Sequence, residues 1–205
     1  MMDVRTELRK VISLSTPRDG RHESPVPGIR CIKISHTGNR TRQHWGAWLC
    51  IIAQGGKEIV VGRDVYQFDD ASYVVTPIDL PVISRITSAS SEKPFLCLTI
   101  NLDPMTLTEV ASQLEWDVPG EEMEHPLQAV FVGKTSDKML DAAVRLGRLF
   151  QTPEDAPVLG PFVIKELLYY ILKGSDGPRH PTIRALWKQT AQDIRGNSPA
   201  QCRFQ

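Results

Sequence analysis

No run of 18 apolar residues in this chain could span a bilayer, and Met1-Met2-Asp3-Val4-Arg5 lacks a basic segment leading into an apolar one. A soluble, cytoplasmic chain with no membrane partner is the expectation. A charge of one sign is also missing. The 24 Lys and Arg are matched by 24 Asp and Glu, so the chain as a whole offers no positive field for nucleic acid. Cysteine is sparse, and Cys31, Cys50, Cys97 and Cys202 form no C-x-x-C pair. The first three sit inside apolar runs, as buried thiols do, which argues against a disulfide framework.

Signatures of catalysis are absent too. There is no G-x-S-x-G elbow, and Gly55-Gly56-Lys57 lacks the full phosphate-loop spacing and precedes a strand-like run instead of a helix. His22, His36, His44, His125 and His180 are scattered over loops and strand ends, with no two spaced to face one ion. The acidic pairs Asp69-Asp70 and Glu121-Glu122 fall in predicted turns. The sequence therefore implies no catalytic residue, no metal, no cofactor and no enzyme.

What is present is organised. Residues 3–13 fit a short amphipathic helix with Leu8, Val11 and Ile12 on one side, and Ser15 to Pro27 reads as a polar surface linker. From Gly28 to Asp103, short runs rich in Val, Ile, Tyr and Phe predict seven antiparallel strands forming a sandwich or barrel. Gly55-Gly56 predicts a two-residue hairpin, Gly62-Arg63 a second tight turn and Asp69-Asp70 a third, giving a meander. After Asp103, an expected N-cap with Pro104 at the first helical position, the period becomes helical, with Leu107, Val110, Ala111 and Leu114 facing inward. A brief strand at Ala129 to Val132 and helices over 136–150 and 157–172 follow, making one compact unit of two layers.

Alternation places Trp48, Cys50, Ile52 and Gln54 on one face, and Phe95, Cys97 and Thr99 on another. If these faces point inward, His44, Trp48, Cys50, Tyr66, Tyr73, Cys97 and Thr99 are the candidates for lining a small-molecule pocket. The alternative at this point is an ordinary filled core. Val144, Ile164, Leu167, Leu168 and Ile171 on the later helices are the candidates for contact with a second copy of the chain, and a homodimer is expected.

A series of segments in order resembles the N-terminal domain of AraC-type transcription regulators. They run from Pro25-Val26-Pro27-Gly28 through Leu49-Cys50-Ile51-Ile52-Ala53-Gln54-Gly55, Gly62-Arg63-Asp64-Val65-Tyr66-Gln67-Phe68-Asp69, Tyr73-Val74-Val75 and Asp79-Leu80-Pro81-Val82. The likeness continues at Ser90 to Leu96, Leu102-Asp103-Pro104, Pro157-Val158-Leu159, Lys165-Glu166-Leu167-Leu168-Tyr169 and Leu172-Lys173-Gly174. The resemblance implies an α+β, mainly β fold: a cupin-like (double-stranded β-helix or jelly-roll) barrel followed by a helical pair. It also implies an unknown small-molecule effector, dimerisation, and DNA as a partner only where a helix-turn-helix half is kept. That half is expected to be absent here, because residues after 180 cannot hold two helix-turn-helix motifs. The organisation expected is a helix and linker over 1–27, a barrel over 28–103, a helical dimerisation region over 104–175 and a tail over 176–205. A cupin enzyme, with or without metal, and a pure dimerisation module with a filled barrel are the competing expectations.

Overall fold

The computed structural model describes residues 3–76, 78–114 and 130–174. The expected tail, Glu121-Glu122, His125, His180 and Cys202 lie outside the described residues. Helix α1 (Val4–Ser15) opens the chain, followed by strands β1 (Gly20–Glu23), β2 (Ile29–Ile34), β3 (Thr41–Trp45), β4 (Trp48–Gln54) and β5 (Gly56–Val61). Next come β6 (Asp64–Asp69), β7 (Ser72–Thr76), β8 (Leu80–Ser88) and β9 (Phe95–Asn101), and then helix α2 (Pro104–Ser112). Strand β10 (Phe131–Lys134) and helices α3 (Asp137–Arg148) and α4 (Ala156–Lys173) complete the described chain.

The strands form two antiparallel sheets, one of order β1-β2-β9-β4-β7-β10 and one of order β3-β8-β5-β6. They face each other as a jelly-roll-like barrel, so the fold is α+β and mainly β. The helices cover the outer face of the larger sheet, which makes three layers where the sequence suggested two. One core lies between helices and sheet, where Leu49, Ile51, Leu96, Leu98 and Ile100 meet Leu8, Ile12, Leu140 and Leu167. A second lies between the sheets, where Ile52, Val74, Phe95 and Cys97 meet Ile59, Phe68, Val82 and Ile86. Strands β4 and β9 are thus buried on both faces and read as continuous apolar runs instead of alternating ones.

Several local expectations take their place in this frame. Asp103 caps α2, its Oδ2 accepting the Thr106 N–H at 2.8 Å, and Ser136 caps α3 through the Met139 N–H at 3.3 Å. Leu8, Val11 and Ile12 of α1 are buried against α3 and the sheet. Others are corrected. The stretch read as a linker contains β1, which pairs with β2 from Gly20↔Lys33 to Glu23↔Arg30. Strand β3, unanticipated, pairs with β8. The late strand lies over Phe131–Lys134, two residues beyond its expected position.

The meander is corrected as well. Gly62 (φ +61°) does close a two-residue hairpin between β5 and β6. Gly55-Gly56, by contrast, turns the chain from one sheet into the other, since β4 pairs with β7 and β9 while β5 pairs with β6 and β8. Asp69-Asp70 likewise carries the chain back between sheets. The glycines serve a corner where backbones crowd. Gly55 adopts φ +84°, and a Cβ there would meet the Ser88 carbonyl oxygen at 2.5 Å and the Phe95 Cα at 3.0 Å. Replacing Gly55 by Ala is expected to destabilise the domain by about 2–4 kcal/mol in urea unfolding, through both the left-handed φ and the clash. A change below about 0.5 kcal/mol would show that the corner relaxes freely.

Candidate functional site

Inward-facing residues of both sheets line a partly open cavity of about 80 Å³. From the larger sheet come Arg21 of β1, Arg30 and Ile32 of β2, Trp48, Cys50 and Ile52 of β4, and Phe95, Cys97 and Thr99 of β9. The smaller sheet supplies Gln43, His44 and Trp45 of β3, Lys57 of β5 and Phe68 of β6. Register explains the grouping: Cys50 pairs with Thr99 and Ile52 with Cys97, so two alternating rows converge on one side of the larger sheet. Opposite them, Lys57 points inward with Ile59 and Val61, while Glu58 points outward.

Of the seven residues that sequence reasoning put forward, the structure brings five together on the cavity wall: His44, Trp48, Cys50, Cys97 and Thr99. Tyr73 points the other way, into the core under the helices, where its ring meets Phe131 edge-on at 5.6 Å. Tyr66 packs at the margin of the inter-sheet core, outside this cavity. Gln54 also leaves the row, because the β4–β9 register shifts between Ile52 and Gln54, and its Nε2 donates to the Pro94 carbonyl at 2.8 Å.

Sequence reasoning missed the cations. The Lys57 Nζ lies 4.5 Å from the centre of the Trp45 ring, and the Arg30 guanidinium carbon lies 4.0 Å from that of Trp48. Arg30 Nε is 3.4 Å from Glu23 Oε1, but the geometry makes no hydrogen bond, and the atom is buried without a hydrogen-bonding partner among the described residues. Burial pushes the Lys57 ammonium below the usual lysine range. The signal was available: on β2, strict alternation sets Arg30 in line with Ile32 and Ile34, and on β5 it sets Lys57 in line with Ile59.

The thiols are not poised for chemistry. Burial raises Cys50 from an ordinary 9.0 to about 11, against a weaker opposing pull from Lys57 and Arg30. Burial also raises Cys31 to about 12 and lifts Cys97 well above its ordinary range. Elsewhere, Glu58 on the outer face bridges Arg40 at 2.8 Å and Arg85 at 2.9 Å, which hold its carboxyl below the usual range. That group closes the outside of the smaller sheet and does not reach the cavity.

The five expected dimer residues sit mostly inside the protomer. Val144, Leu167, Leu168 and Ile171 are buried in the core under the sheet, and Ile164 is half-buried against it. The apolar side chains that α4 exposes are instead Val158, Leu159 and Phe162, with Phe162 67% exposed.

With iodoacetamide near pH 8, where an ordinary thiol is partly ionised, Cys31, Cys50 and Cys97 are expected to stay unmodified in the native protein and to react once it is unfolded. Native-state alkylation of Cys50 at the unfolded rate, read by mass spectrometry, would contradict the burial described.

Comparison with known proteins completes the picture. The family model described as the AraC-type transcriptional regulator N-terminus matches residues 25–179, about three quarters of the chain. A search of curated proteins finds no match. Among solved structures, an apo variant of ToxT from Vibrio cholerae strain SCE256 is similar, with a TM-score of 0.52 at 11% identity, covering 86% of this chain. This chain spans 66% of that one, just under two thirds. Unsaturated fatty acid bound wild-type ToxT from the same strain aligns with a TM-score of 0.45 at 13% identity, over 82% of this chain and 68% of that one. The ToxT likeness is one of fold. The family match, covering the barrel and most of the described helical layer, establishes that the chain belongs to the AraC-type transcriptional regulator N-terminus family.

Proposed function

We propose that this domain senses a small-molecule effector held between its two sheets, and that it pairs with a second copy through its helical layer. DNA contact would come from a separate helix-turn-helix region of the kind that the resemblance implies. The observation that carries the reading is the cavity itself. It is walled by Trp45, Trp48, Phe68 and Phe95, with Lys57, Arg30, Gln43 and Thr99 as polar handles, a make-up that supports a ligand site over a filled barrel.

Support for pairing comes from α4. Val158, Leu159 and Phe162 lie at i, i+1 and i+4 and so share one face of its first two turns, all well exposed. An apolar face of this kind suits the symmetric interface of a dimer.

Two measurements test the two halves of the proposal. In a thermal-shift screen of chemically diverse small molecules, a ligand at 100 times its Kd should add about 2.7 kcal/mol, raising Tm by roughly 5–10 °C. A flat response across the whole panel would overturn effector sensing. By light scattering, Phe162→Asp is expected to yield a folded monomer, whereas Leu167→Asp, which buries a charge in the core, should lose about 3 kcal/mol or more of stability. A Phe162→Asp protein that remains dimeric would rule out this face.

A further inference from the structure

The charges around the cavity do not balance. Arg21, Arg30 and Lys57 all line it, and among the described residues no Asp or Glu does. Burying a cation without a counter-charge is costly, and structures usually answer it with a carboxylate or another hydrogen-bond acceptor. Among the described residues neither the Lys57 Nζ nor the Arg30 Nε makes a hydrogen bond; Lys57 lies over the Trp45 ring and Arg30 over that of Trp48, with only the exposed carboxylate of Glu23 near, 3.4 Å from the Arg30 Nε. The same barrel shows how this chain satisfies a charge when it has to: Glu58, the next residue along β5, is held by two arginines on the opposite face. Among the described residues Lys57 receives no such partner.

The cations also converge. Lys57 comes from the smaller sheet and Arg30 from the larger, and both line the same cavity beside Cys50. Around them the surface is aromatic and apolar, with Trp45, Trp48, Phe68 and Phe95 providing flat faces. At about 80 Å³ the cavity holds the centres of roughly half a dozen waters, which is the scale of one ring and not of a long chain.

We infer that the effector is a small monocarboxylate with a single aromatic ring or a comparably compact apolar body, its carboxylate taken by Lys57 and Arg30 and its body by the tryptophan and phenylalanine faces. This inference rests on the reading of the barrel as an effector site and adds the chemical class of the ligand. The anion supplies the charge that the cavity wall lacks, and hydrogen bonds from Lys57 and Arg30 to it are charge-assisted. Lys57 is the discriminating residue because, among the described residues, it is the Lys or Arg that the smaller sheet contributes to the cavity. A neutral molecule of the same shape would leave both cations unanswered and bind more weakly.

The test uses 4-fluorobenzoate, its neutral isostere 4-fluorobenzamide and inorganic phosphate as probes of the full chain, followed by fluorine NMR line broadening and Trp fluorescence. Fluorobenzoate is expected to bind at least about tenfold more tightly than the amide or phosphate, and Lys57→Met to remove that preference. Lys57→Arg, which keeps the charge, should retain most of it. Lys57→Met should melt at or above the native temperature, because it replaces a desolvated charge with an apolar chain of similar length. Equal binding of acid and amide, unaffected by Lys57→Met, would overturn the assignment of an anion while leaving a sensing barrel intact. Phosphate binding as tightly as fluorobenzoate would overturn the organic acid in favour of a general anion hole. No binding of fluorobenzoate up to about 10 mM would overturn the inference, and only a flat response to the neutral panel as well would remove the effector reading with it.

Discussion

The larger sheet is enclosed on both faces, by helices on one side and by the second sheet on the other, and the rest of the molecule is arranged around that constraint. A strand buried twice over has no exposed face on which to carry polar side chains, so β4 and β9 are nearly free of charge. Polar groups on the inner face are tolerated only where the sheets part. Arg30 and Thr99 stand at that opening, and Lys57 reaches it from the opposite sheet. At the cavity the packing rule for the larger sheet is relaxed.

Much of this was legible in the sequence. Helix α2 could be read because Asp103 caps a regular apolar stripe of Leu107, Val110 and Ala111, and the other helices because their apolar residues recur at helical spacing. The wall of the cavity could be read because alternation along β4 and β9 is local information, and it correctly grouped Trp48 with Cys50 and Cys97 with Thr99. The pairing of sheets could not. Gly55-Gly56 has the composition of a hairpin turn, and only the whole fold shows that it bends the chain between sheets, against Ser88 and Phe95. Nor does β1, with its polar Gly-Arg-His-Glu sequence, show any pattern of its own; it is a strand because β2 offers it an edge.

The misplacements at the site have equally physical causes. Tyr73 and Val74 are adjacent on β7 and so face opposite cores, and composition alone does not say which core holds the cavity. Lys57 and Arg30 were passed over because cations on strands ordinarily belong to solvent. The helical face of Leu167 and Ile171 was assigned to a second copy, whereas the sheet beneath already occupies it. In each case the missing fact was which surface another element had already taken.

The order of pairing also governs when this domain can form. Strand β2 finds its neighbours only in β1 and β9, and Ile29 pairs with Ile100, so the chain between them must be in place before the sheet closes. Strand β10 likewise returns to β7 across a long stretch of chain, Phe131 lying against Val75. Contacts so distant along the chain carry a large loop-closure entropy before they give any stability, which places folding in the slow range of β-rich topologies. During synthesis, the apolar run Leu49 to Ala53 is therefore made well before β9 exists to cover its edge, so the nascent chain passes through a period in which a strand destined for the core is left open.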